Sequence, residues 1–325
     1  MNINQVIKMI GRNLFVIALI AVAASGFCAD ASGQERIRLV TTLPDLESIA
    51  RYVGGDRVEA FSIATGYQNP HFVDPKPSYI RKLSRADMFV TVGLDLESGW
   101  VPPLLTSARN PKILRGGEGY VDASVDVPLL QTPTSVSREQ GDIHIFGNPH
   151  YWLDPVRGKI VARNIFEGLV RLRPQDRDYF EANLAQFNGE IDSRTAGWLQ
   201  EMAPYDGARI IAYHNSWPYL AERFGLDIVD YLEPKPGIPP TPSQLAKVIQ
   251  TMKREGIRII IIEPYFKTDA ADLVARKTEG HVLELATSVG AHEDISTYFD
   301  LFDHNVRKLT EALREIGSTG ASQSN

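Results

Sequence analysis

Two series of short, β-branched apolar runs alternate with helix-spaced segments, and a long stretch without strand character separates them. In the first series, Ile37 to Leu43 reads as a buried strand ending at Pro44. Leu46 to Val53 is helical and is stopped by Gly54-Gly55; Val58 to Ala64 is a second strand. Pro77 to Ala86 has helical spacing, and Met88 to Leu94 is a third strand. The second series runs from a strand at Arg209 to Tyr213 to a strand at His281 to Ala286. Between them lie strands at Leu226 to Leu232 and at Arg258 to Ile262, the latter with four consecutive isoleucines. Helices are expected at Trp217 to Phe224, Pro242 to Glu255 and Thr268 to Thr278, and Thr297 to Ile316 closes the chain as an amphipathic helix. Strands that alternate with helices form parallel sheets covered by helices. The expected fold class is therefore α/β, with two lobes of mostly parallel sheet.

Residues 110–149 are irregular, rich in Gly, Pro, Ser and Thr. From Val156 to Met202 helical patterning takes over, broken once near Arg173-Pro174. The second piece, Gln175 to Met202, would reach roughly 40 Å at 1.5 Å per residue, long enough to bridge two lobes. The expected organisation is an N-terminal lobe over 32–174, a linking helix over 175–203, a C-terminal lobe over 204–316 and a disordered Gly/Ser-rich tail over 317–325.

The N-terminus reads as an export signal. Lys8 and Arg12 precede an apolar run from Phe15 to Ala24, and Ala29-Asp30-Ala31 offers a cleavage site, so residues 1–31 are expected to be removed. That places the protein outside the cytoplasmic membrane, in the periplasm or its equivalent. Cys28 is the sole cysteine; lipid attachment there is the alternative, but Phe27 stands where a lipobox needs a small residue. The formal net charge of −6 argues against a nucleic-acid partner, whose binding surfaces are basic.

Three histidines stand in turn-flanked segments far apart in the chain. His71 follows Asn69-Pro70, His150 follows Asn148-Pro149, and His214 ends the strand run Ile210-Ile211-Ala212-Tyr213. Pro70 and Pro75 stiffen the first loop, and Pro149 and Pro155 the second. In open parallel sheets ligands bind beyond the carboxyl ends of the strands, which is where His71 and His214 fall. Zinc takes neutral imidazoles and is usually four-coordinate, so these three side chains are candidates to hold it. Glu263, after the isoleucine strand, is the candidate fourth ligand, with water as the alternative. His144 is a candidate auxiliary ligand in a loop that also holds Glu139 and Asp142. Asp45, Asp74, Asp95 and Asp154 are candidates to orient the imidazoles, since carboxylates commonly do so. His281, His292 and His304 have no matching context.

These segments resemble the periplasmic zinc- and manganese-binding receptors of ABC importers, the TroA-like or ZnuA-like proteins. The resemblance is carried by Thr41-Thr42-Leu43-Pro44-Asp45, by the Pro70-His71 loop leading into Ile80-Arg81-Lys82-Leu83, and by Val92-Gly93-Leu94-Asp95. It continues through His150-Tyr151-Trp152-Leu153-Asp154-Pro155, His214-Asn215-Ser216 and Ile262-Glu263-Pro264. It implies two α/β lobes joined by one rigid helix, with the metal between them, His71 and His150 coming from the first lobe and His214 from the second. It also implies a permease in the cytoplasmic membrane as partner, a monomeric receptor and no catalytic step. Many members have an aspartate after the last strand of the second lobe; here Leu285-Ala286-Thr287-Ser288 carries no carboxylate. Manganese-carrying members often have a carboxylate at the position of His214, so three imidazoles favour zinc over manganese. Two other readings compete. One is a zinc-dependent hydrolase that uses the three-histidine site with Glu263 as base; the other is a receptor for a larger metal chelate.

Overall fold

The computed structural model describes residues 35–133, 144–235 and 237–322, with side chains to residue 317. The expected signal segment, Cys28, Glu139 and Asp142 lie outside the described residues. From Ile37 onward the chain forms one compact unit.

Its first half is a sheet of β1 (Ile37–Thr41), β2 (Val58–Ser62), β3 (Met88–Thr91) and β4 (Tyr120–Asp122), in the order β2-β1-β3-β4. Every pairing is parallel. The second half repeats the plan with β5 (Ala208–Ala212), β6 (Leu226–Tyr231), β7 (Ile259–Ile262) and β8 (His281–Glu284), again all parallel, in the order β6-β5-β7-β8. The crossovers are α1 (Pro44–Gly54), α2 (Pro77–Arg85) and α3 (Val101–Ala108) in the first lobe, and α6 (Pro218–Phe224), α7 (Pro242–Glu255) and α8 (Asp269–Thr278) in the second. Most open on proline, which suits a first helical position because its missing N–H has no intrahelical acceptor. β7 buries all four of its isoleucines, as expected for a strand covered on both faces.

The lobes are connected by α4 (Pro155–Leu172) and the 26-residue α5 (Arg177–Met202), which runs roughly 39 Å. Phe180, Phe187, Ile191, Thr195, Trp198 and Met202 are its buried side chains. Phe187 meets Tyr52 of α1 and Phe299 of α9 (Tyr298–Ser322) at ring distances of 5.3 Å each, so the linking helix is packed on both lobes. The closing helix α9 continues to Ser322, into the stretch expected to be disordered from Gly317. Extending an existing helix requires no new nucleation, so the weak propensity of a Gly/Ser-rich end does not stop it at once.

The seam between the lobes is hydrogen-bonded through buried groups. Asp45, at the start of α1, is fully buried and accepts from the Ser288 hydroxyl and, at 3.1 Å, from the Val289 N–H of the opposite lobe. Trp152 Nε1 donates to Thr287 O at 2.9 Å, and Arg223 of α6 forms two bonds to Asp154 at 2.7 and 3.0 Å. Gly66 lets the two backbones touch there: a Cβ at that position would stand 2.2 Å from Val289 O.

Candidate metal centre

The two Asn-Pro-His segments fold into the same local turn. The Asn69 side-chain oxygen accepts the His71 N–H at 3.0 Å, and Asn148 Oδ1 accepts the His150 N–H at 3.0 Å. Asparagine closes such a turn on the backbone two residues on, and the intervening proline fixes the direction of the chain. Trp100 Nε1 ties the first loop down at Pro70 O, 3.0 Å away. The second is held harder. Tyr219 OH donates to Asn148 O at 2.6 Å and accepts from Leu130 N at 3.0 Å, while Asn148 N donates to Leu130 O at 2.9 Å. The chain thus leaves at Leu130 and returns at Asn148 through a closed neck. Asn148 Nδ2 also reaches Asn215 O at 2.8 Å, beside His214, so the two lobes' loops are directly coupled.

His71, His150 and His214 converge. One ring nitrogen from each lies within 4.8 Å of the other two. The Nε2 atoms of His71 and His150 are 3.3 Å apart, close to the separation of about 3.3–3.4 Å that two ligands have on a tetrahedral zinc with bonds of 2.0–2.1 Å. The three ring centroids are spaced 5.3, 5.4 and 5.6 Å. His150 and His214 are buried and His71 is half-buried beside a cleft of ≈ 200 Å³ that Phe72, Tyr213, Pro239 and Phe266 also line.

Hydrogen bonds fix which nitrogen two of the rings offer. His214 Nδ1 donates to Glu233 Oε2 at 2.6 Å, and His150 Nδ1 to Asn148 Oδ1 at 3.0 Å, so Nε2 presents its lone pair in both. Burial holds His71 and His150 well below the usual imidazole range, and the neighbouring imidazoles push the same way. Both rings are therefore neutral near pH 7, the state a metal requires. Trp152 packs 5.3 Å from the His150 ring, and Tyr151 is buried with its hydroxyl bound to Val92 O at 2.7 Å.

Glu263 follows β7, which neighbours β5, but it does not join the three-histidine cluster. It is fully buried, and neither carboxylate oxygen has an aligned hydrogen-bond partner. Burial pushes its pKa up to about 7, against the pull of His214 and the nearby Ser216 hydroxyl. His144 is outside the cluster too, yet its ring stands 5.2 Å from His71 and 6.4 Å from His150. His281 is exposed, whereas His292 and His304 stack on one another elsewhere in the second lobe.

None of the four aspartates expected to orient an imidazole does so. Asp154 caps α4 and binds Arg157 and Arg223, Asp45 crosses the seam, and Asp74 and Asp95 are exposed. The orienting groups are Glu233 and Asn148. Glu233 carried a readable signal: Leu232-Glu233-Pro234 repeats the pattern of Ile262-Glu263-Pro264 at the carboxyl end of a strand.

Residues 39–312 match the family described as the periplasmic zinc-uptake complex component A. The chain belongs to that family. Among its relatives, the manganese ABC transporter substrate-binding lipoprotein PsaA of Streptococcus pneumoniae is 24% identical over 93% of this chain and 97% of its own length. The high-affinity zinc uptake system protein ZnuA of Bacillus subtilis is 24% identical over 92% of this chain and 97% of its own. A zinc-bound ZnuA deletion mutant superposes with a TM-score of 0.72 at 25% identity, covering 86% of this chain and 98% of the other. The family resemblance and the two-lobed α/β fold expected from the sequence both stand, and the protein is a metal solute-binding receptor of the ABC-importer class rather than an enzyme. No described helix is long and apolar enough to cross a membrane.

Proposed function

We propose that this receptor captures zinc outside the cytoplasmic membrane, through His71, His150 and His214, and hands it as a monomer to the permease of an ABC importer. The observation that carries the reading is the convergence of three imidazoles within 4.8 Å of one another, with His71 and His150 kept neutral by burial. An all-nitrogen set of this kind suits zinc, whereas manganese favours more oxygen. Glu263 or a water completes a fourth position; a buried carboxylate with neither oxygen aligned to a donor supports the first. Glu233 and Asn148 keep the ligands in the right tautomer. His144, beside His71, serves as an auxiliary ligand on the outer side. Residues 1–31 direct export and are removed. Release proceeds by local movement of the ligand loops, because a long packed helix between lobes resists wide hinge opening.

The relatives are named for both metals, so the ion is the point to test. Titration of metal-free protein with zinc and with manganese, each in competition with a chelator, is expected to give the lower Kd for zinc. Tighter binding of manganese would overturn the assignment.

A further inference from the structure

We propose that His304, His292 and Glu284 form a second, weaker zinc(II) site on the C-terminal lobe, separate from the three-histidine cleft. His304 lies on α9 and is only 5% exposed. Its Nδ1 stands 2.9 Å from Asp294 Oδ2, so that nitrogen carries the proton and Nε2 presents a lone pair. Nε2 is buried with no hydrogen-bond partner among the described residues. The Nδ1–carboxylate contact repeats that of His214 with Glu233. A nitrogen lone pair buried without a donor is an unfavourable state, and a metal ion relieves it.

A second imidazole stands beside it, and a carboxylate beside that second ring. The His292 ring stacks on His304 with centroids 4.8 Å apart. His292 Nε2 lies 3.2 Å from Glu284 Oε1, yet it makes no aligned hydrogen bond. That spacing is close to one edge of a zinc tetrahedron, about 3.3 Å for bonds near 2.0–2.1 Å.

The site is not closed. The ring planes differ by only 18°, so the in-plane lone pairs run side by side. The three donors also lie outside the cluster of His71, His150 and His214, whose ligand atoms are all within 4.8 Å of one another. His292 has a side chain 34% exposed, and closing the site requires it to turn about its side-chain bonds. The ordering cost of that turn, and the Arg307 guanidinium 3.4 Å from His304 Nδ1, make this site weaker than the cleft. Its location gives it a consequence: the segment that bears His292 also bears Ser288 and Val289, which bind Asp45 across the seam.

Calorimetric titration of the whole protein with zinc chloride tests the proposal. The wild type is expected to bind two equivalents, the second at least about 10-fold more weakly. His292→Ala/His304→Ala should keep the first and lose the second. Because His304 is buried, His292→Ala and Glu284→Gln, each at a partly exposed position, provide an independent arm and should weaken the second equivalent about 10-fold. His71→Ala/His150→Ala/His214→Ala should lose the first equivalent and keep the second, which separates failure of this site from failure of the cleft. A wild-type stoichiometry of one, or a second equivalent that survives in His292→Ala/His304→Ala, would overturn the proposal.

Discussion

Replacing Glu233 by alanine isolates what the second carboxylate contributes to the metal centre. Its Oε2 accepts from His214 Nδ1 at 2.6 Å, and both side chains are buried, at 6% and 7% exposure. Without that acceptor the His214 ring is free to flip or to carry its proton on Nε2, where a metal cannot bind. The same Oε2 also accepts from Gly237 N at 3.2 Å, so the loop along the cleft loosens as well. Outer partners of metal-binding histidines are typically worth 10–100-fold in affinity, so zinc binding by Glu233→Ala should weaken by about 1.4–2.7 kcal/mol. Glu233→Gln keeps an acceptor and loses the charge, and should fall between the two. Chelator competition gives the Kd values, and circular dichroism checks that the fold is unchanged. A folded Glu233→Ala protein that binds zinc within twofold of wild type would refute the reasoning.

Other perturbations follow from the same geometry. Alanine at His150 removes a ligand itself and should cost more than the roughly 100-fold ceiling for outer partners, measured in the same competition. Burial pushes Asp45 up to about 7, so the native state keeps a proton that the unfolded chain loses from about pH 4 upward. Stability should therefore fall as pH rises from about 4 through 7, by at most about 4 kcal/mol from this group, and Asp45→Asn should flatten the slope of Tm against pH; equal slopes would argue against it. Tyr219→Phe strips partners from Asn148 O and Leu130 N, and should cost about 1–3 kcal/mol in urea unfolding together with some zinc affinity. Zinc at a thousandfold excess over Kd should stabilise the wild type by about 4 kcal/mol, read as a rise in Tm that His150→Ala lacks.

Much of this architecture was readable because the strong signals were long or repeated. The isoleucine run of β7, the prolines that open α1, α2 and α7, and the helical spacing of α4 and α5 each point one way. Two elements were not readable. β4 is three residues long, too short to show a period, and it falls inside an irregular stretch. α3 begins Val101-Pro102-Pro103, where paired prolines hide a helix whose first turn tolerates them. Within the site, His71 and His150 stood out by their Asn-Pro contexts and His214 by its place at the end of a strand. Their orienting partners did not, because a second coordination layer depends on which strand ends are neighbours in space. Glu233 ends up beside His214 only because β6 pairs with β5. Asp154 was misleading for the opposite reason: it is close to His150 in sequence but is taken by Arg157 and Arg223.

The closed neck at Leu130 and Asn148 has a bearing on how this protein tolerates change. The tether formed by Asn148 N, Leu130 O and the Tyr219 hydroxyl sets the position of His150 from below, independent of whatever chain hangs outside it. Insertions between those two residues should thus be absorbed cheaply, since doubling the length of chain between two fixed ends adds only about 0.6 kcal/mol of closure entropy. A reporter or an extra binding sequence spliced in there should leave the three-histidine grip on the cargo as it was, provided that His144 keeps its place beside His71.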